Sequence, residues 1–155
     1  MKQIPIKMVP YADRDQFVIE VHSPNGSSIA RTAAITDSVA AVMYRDPRVL
    51  NVTEFVGQLM PRFMVSAPIA MGSKSFSQMI VRTESSEATL DVIRDYTDYF
   101  SKEWPDTYVR MYQLSYAVAG GMTYVLRGSN IDSLHYAADQ VKDFLNQQEG
   151  LIWVH

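Results

Sequence analysis

The 155-residue chain is expected to fold as α+β, with a ferredoxin-like β-α-β-β-α-β sandwich followed by an additional β-α-β half-module. Three observations predict this. The order strand, helix, strand recurs along the chain, from Gln16 to Gly57, from Ser75 to Leu114 and from Met122 to the end. Within each stretch the apolar period switches from two residues to three and four, and back. Proline, glycine and small polar residues sit at the switches, where chain direction must change.

The elements follow in order. Residues 1–15 hold two prolines, mixed charge and no sustained period, and read as a lead-in loop. Phe17, Ile19 and Val21 alternate with Val18, Glu20 and His22, the pattern of a strand. Pro24-Asn25-Gly26 supplies turn chemistry, and Ser28 is placed to cap a helix running to about Arg45. Ile35, Val39, Val42 and Met43 share one face of that helix. Asp46-Pro47 ends it, because the residue before proline is pushed out of the helical region. Val49 to Phe55 reads as a strand broken by Gly57.

Residues 58–74 form an apolar run interrupted by prolines and a glycine, with strand character only around Phe63 to Val65. Phe76 to Thr83 is a clearer strand. Ser85 or Ser86 caps a second helix to about Lys102, with Ile93, Tyr96, Phe100 and Trp104 on one side. Tyr108 to Leu114 alternates as the next strand. Ala119-Gly120-Gly121 is a candidate boundary, dividing a subdomain over 16–116 from a half-module over 121–155. In the latter, Met122 to Leu126 reads as a strand and Asn130 as a helix cap. Leu134, Ala138, Val141 and Leu145 form a stripe, Glu149-Gly150 a stop, and Leu151 to Val154 a last strand. A chain closing on that apolar strand reads as part of something larger.

Composition bounds the function. Residues are 47% hydrophobic and 20% charged, enough apolar content for a core. The net charge of −3 disfavours nucleic-acid binding, which needs a cationic surface. Cysteine is absent, so there is neither a disulfide nor a thiolate metal site. No Ser/His/Asp arrangement, phosphate loop or His-Glu-x-x-His motif is present, and no residue is assigned a catalytic role or a cofactor. His22, His135 and His155 lack metal-ligand spacing. Asp91, Asp95 and Asp98 lie beside Arg94 and Lys102 at helical spacing and read as a solvated face of ion pairs.

Several phrases carry a resemblance: PYADRDQFVIEV, PNGSSIARTAAI, DPRVLNVTEFVG, MPRFMVSA, SFSQMIVR and GMTYVLRGSNIDSLHYAADQVKDFLNQQEGLIWV. Their order and spacing resemble the periplasmic porter region of resistance–nodulation–division efflux transporters of the acriflavine-resistance type, at the start of that region in the transporter's second half. The likeness runs from about Lys7 to the end. The chain departs at Ser129-Asn130, where an acidic residue is common, and at Gly120-Gly121-Met122, where a proline often stands.

The resemblance implies a non-enzymatic substrate-path portion facing the periplasm from the inner membrane. Its implied partners are the remaining transporter subdomains, a homotrimer, a periplasmic adaptor, an outer-membrane duct and an amphiphilic small-molecule substrate. It also implies that Gly57, Leu59, Met60, Phe63, Met64 and Met71 line a substrate cleft; the residues alone equally allow this segment to pack as core. A soft-metal cargo would instead use Met60, Met64, Met71 and Met111 as thioether ligands. The alternative function is a stand-alone ferredoxin-like ligand-sensing or regulatory domain.

Overall fold

The computed structural model describes residues 13–61, 72–104, 106–114 and 124–148. Contacts divide the chain into two compact units, residues 1–119 and 120–155. The first is a four-stranded antiparallel sheet with two helices, in the order β1 (Gln16–His22), α1 (Ile29–Met43), β2 (Val49–Val56), β3 (Phe76–Thr83), α2 (Ser86–Glu103) and β4 (Tyr108–Gln113). The strands lie side by side as β2-β3-β1-β4, with β1 and β3 central. That is the ferredoxin-like α+β arrangement the alternating periods predict.

One face of the sheet carries the helices. Phe17, Ile19 and Val21 of β1, Met79 and Val81 of β3 and Val109 and Met111 of β4 meet Val39 and Met43 of α1 and Val92 and Phe100 of α2. Each fully buried aliphatic or aromatic side chain there contributes about 1.5–3 kcal/mol relative to exposure. The apolar stripes converge on this core as their spacing predicts, with Ile35, Val42, Ile93, Tyr96 and Trp104 completing its margin.

Local chemistry sets the element ends. Ser28 Oγ accepts the Arg31 N–H at 3.2 Å, and Ser85 Oγ accepts the Ala88 N–H at 3.1 Å. Each such cap satisfies a helix N–H that has no partner within the helix, worth roughly 1 kcal/mol. Gly26, at φ 87°, makes the turn that Ser27 N–H closes on the Pro24 carbonyl at 3.0 Å. Buried hydroxyls join the helices to the sheet, a feature hydrophobic periodicity does not reveal. Thr36 of α1 meets Ser77 of β3, and Thr83 of β3 meets Thr89 of α2 at 2.6 Å. Thr32 donates to the Lys74 carbonyl at 2.8 Å.

Two features finish the β2 side. The β2–β3 register slips between Val49 and Asn51, which leaves Leu50 unpaired and exposed. The Tyr44 hydroxyl then reaches the outer edge of the strand. It donates to the Val52 carbonyl at 3.0 Å and accepts the Val52 N–H at 3.2 Å.

At the end of α1, Arg48 clasps the buried Asp46 carboxylate through Nε at 2.9 Å and a terminal nitrogen at 2.6 Å, and reaches Asp95 of α2 at 3.0 Å. The Arg48 hydrogen bonds outweigh burial and hold Asp46 at about 2, below its ordinary 3.8. A carboxyl with a lowered folded-state value stabilises the fold above its unfolded value, and that contribution disappears as pH falls through the folded one. The wild-type chain is therefore expected to lose stability between about pH 4 and pH 2. Arg48→Met should remove that slope and lower stability at pH 7, as urea unfolding across the pH range will measure.

In the second unit, α3 (Ile131–Asn146) begins at Asn130, whose Oδ1 accepts the Ser133 N–H at 3.0 Å. Of the strand expected over Met122 to Leu126, the described residues Tyr124, Val125 and Leu126 pair with no other described residue. Alternation and β-propensity favour a strand there, but a strand needs a neighbour to hydrogen-bond. The expected α3 stripe buries none of its residues, and Ala138 in particular is exposed, Ala137 taking its place beside Leu134, Val141 and Leu145. The strands expected over 63–65 and 151–154 and the stop at Glu149-Gly150 lie outside the described residues.

Candidate functional site

The face of the sheet turned away from the helices is not a bare surface. Antiparallel registration places Gln78 of β3 directly opposite Glu20 of β1, and Glu20 opposite Arg110 of β4. One step along, Ile80, Val18 and Tyr112 form the next row, and at the far end Phe76, His22 and Tyr108 form another. Because side chains alternate across a strand, all of these share one face.

A polar network occupies its middle. Tyr112 O–H donates to Glu20 Oε1 at 2.8 Å, and Gln78 Nε2 donates to the same oxygen at 3.3 Å. His22 Nε2 lies 3.5 Å from Glu20 Oε2. The His22 ring is held between Phe76 and Tyr108, with centroids at 5.0 and 5.3 Å. Arg110 lies over the Tyr112 ring, 4.9 Å from its centroid. Glu20 and Gln78 are buried, at 9% and 2% exposure, so the network contains a carboxylate largely removed from water.

Burial alone would raise the Glu20 carboxyl. Hydrogen bonds from His22 and Tyr112, with the charges of His22 and Arg110, overcome it and leave Glu20 below its ordinary value. Tyr112 is driven the other way: burial, the Glu20 charge and the hydrogen bond it donates to Glu20 all raise it. At neutral pH the pair is an ionised carboxylate and a neutral phenol.

The chain leaving β2 crosses onto this face. Gly57 sits at φ 75°, and its N–H donates to the Phe76 carbonyl at 2.9 Å. The left-handed conformation is what favours glycine there; a Cβ would come within 2.9 Å of Ile29 Cδ1, the end of an exposed side chain that can swing aside. Gly72 presses against the same point, since a Cβ on it would fall 2.7 Å from the Gly57 carbonyl oxygen. The main chain entering the segment thus touches the main chain leaving it.

Of the residues expected in a cleft, Gly57 and Leu59 are partly exposed, while Met60 is buried. Met60 packs with Val18 and Leu114, against Phe55, Ile80 and Tyr112, as a small second core. Its N–H donates to Gln78 Oε1 at 3.1 Å, which ties it to the polar network. Phe63, Met64 and Met71 lie outside the described residues. The thioether set is not brought together as a whole: Met111 belongs to the helix-side core and Met60 to the opposite face, with the sheet between them.

Sequence reasoning missed Glu20, Gln78 and Arg110, and weighed His22 without giving it a role. The available signal was the polar members of one every-second-residue set on each of β1 and β4, Glu20 and His22 with Tyr108, Arg110 and Tyr112, which become a cluster only once the strands are paired. Asp91 and Asp95 do form helix-surface ion pairs with Arg94, at 2.8 and 3.5 Å. Among the described residues no group of three or more His, Asp or Glu is placed to hold a metal ion, and no helix is long and apolar enough to cross a membrane. No family model matches the chain, and no curated protein matches it.

Proposed function

We propose that the chain is a periplasm-facing substrate-path portion of a proton-driven resistance–nodulation–division efflux pump for drugs or other amphiphilic compounds. The observation that carries this reading is α3. Its 16 residues bury none of their side chains, and Ile131, Tyr136 and Phe144 stand more than 60% exposed. An amphipathic helix of this kind gains little stability in water until its apolar side is covered. A porter subdomain of a larger transporter supplies such a cover. The fold gives further support: a ferredoxin-like sandwich followed by a second unit is the order that the quoted phrases imply. In this reading the parent acts as a homotrimer with a periplasmic adaptor and an outer-membrane duct. The partly exposed Leu59 then faces the substrate path, and Met60 anchors the segment behind it.

Two measurements test the proposal. The gene should encode membrane spans in frame before Met1 and after His155; a stop codon directly after His155 overturns the reading. In the intact pump, Leu59→Ala combined with Phe63→Ala should change resistance unevenly across a panel of amphiphilic compounds, by roughly tenfold for some. Protein levels should stay near normal. A uniform change, or none, counts against a substrate-path role.

The polar network favours a second reading, a ligand-sensing domain with its site at Glu20, His22 and Tyr108. That reading requires a dimer in size-exclusion chromatography and a ligand-dependent rise in melting temperature. A monomer indifferent to a metabolite panel excludes it.

A further inference from the structure

We propose that Glu20 and Gln78 are positioning residues that lock Gly57 to Met60 onto the face of the sheet turned away from the helices, with the Glu20 carboxylate deciding which way round the Gln78 amide sits. The functional meaning of this lock rests on the substrate-path reading of the segment; the lock itself does not. An ionised carboxylate only accepts hydrogen bonds. Glu20 Oε1 faces Gln78 at 3.3 Å, so the amide must turn its NH2 toward Glu20. Its carbonyl oxygen is thereby turned toward Met60, whose N–H it accepts at 3.1 Å. Both Gln78 and Met60 are at least nine-tenths buried, so water does not replace either bond cheaply.

The orientation depends on charge. Protonation on Oε1, the oxygen that meets Gln78, presents a donor there, to which the Gln78 carbonyl is the natural acceptor. The amide then turns its NH2 toward the Met60 N–H, donor against donor, and the segment loses its tie to the sheet. The groups facing Glu20 set when this happens. His22 lies on its own strand, and Tyr112, Arg110 and Tyr108 come from β4. From β3 comes Gln78, which does not titrate. Together the hydrogen bonds and positive charges keep Glu20 ionised except in acid. The lock therefore holds above the carboxyl's titration and is lost as pH falls through it.

Amide hydrogen exchange of the full 155-residue chain, read by NMR in heavy water, tests this directly. Gln78→Met keeps the side chain's length but removes its acceptor. Met60 N–H should exchange about tenfold faster, with Ile19 and Val81 N–H unchanged. Glu20→Gln gives the readout that mere packing would not. With no carboxyl to titrate, Met60 protection should no longer change with pH, whereas in the wild type it falls as pH drops through the Glu20 titration. Met60 protection that Gln78→Met leaves unchanged, or that is flat with pH in the wild type, overturns the proposal. If Gln78→Met loses protection throughout the chain, the other two profiles decide: an acid loss of Met60 protection that Glu20→Gln abolishes supports the lock, and one that persists in Glu20→Gln overturns it. Exchange involves no transport, so failure here leaves the resistance profile of the Leu59/Phe63 variant standing, and failure there leaves the lock standing.

Discussion

Val39→Asp should leave the first unit unfolded at neutral pH. Val39 is fully buried between α1 and the sheet, where it belongs to the same cluster as Met43, Met79 and Val81. No cation among those core residues meets an incoming carboxylate. The substitution either buries an unpaired charge or forces the carboxyl to stay protonated, and both routes cost about 5 kcal/mol or more. A domain of this size is stable by only about 5–15 kcal/mol, so most or all of the margin disappears. Far-ultraviolet circular dichroism should show the loss of helix and strand together. Ala41→Asp is the matched control. It places the same charge on an exposed position in the last turn of the same helix and should cost only about 1–1.5 kcal/mol, from lower helix propensity and the helix dipole. A folded Val39→Asp protein would mean that α1 does not seal the core as described.

Phe100→Ala should be the most damaging deletion on α2. The Phe100 ring is fully buried and stacks on Tyr96 and Trp104, both at 5.9 Å, with Tyr99 meeting its edge at 5.3 Å. Removing it empties the centre of an aromatic row and leaves a cavity that the paired strands beneath cannot close. The expected cost is about 3–5 kcal/mol. For a unit of this size that lowers the melting temperature by at least 12 °C or so. Phe100→Leu fills most of the volume and should recover roughly half the loss. The near-ultraviolet signal of Trp104 should weaken in both variants, because its stacking partner is gone. An alanine variant as stable as wild type would show that the row packs without its central ring.

Much of the fold is legible because it is written locally. Ser28, Ser85 and Asn130 each cap the helix they precede, and β3 spans the same Phe76 to Thr83 that reads as a strand. What local pattern lacks is the partner. Tyr124 to Leu126 read as a strand on propensity alone, yet a strand is a relation between segments, and these residues pair with none of the other described ones. The polar network escaped notice for the same reason. Glu20 and Gln78 are 58 residues apart and look like solvent-facing positions of separate strands until the β1–β3 register sets them opposite one another. Met60 shows the converse. Its loop is apolar enough to line a cleft, and only the face it lands on reveals that this side chain is interior while Leu59 beside it is half open.

The phenol of Tyr44 has a consequence for what the sheet can recruit. By engaging both main-chain groups of Val52, it takes the hydrogen-bonding positions that an arriving strand would claim first on that flank. Docking by main-chain zippering beside β2 must evict a side chain before it can begin. The unit therefore carries its own guard against stacking edge to edge with its copies, built from one residue beyond the end of a helix.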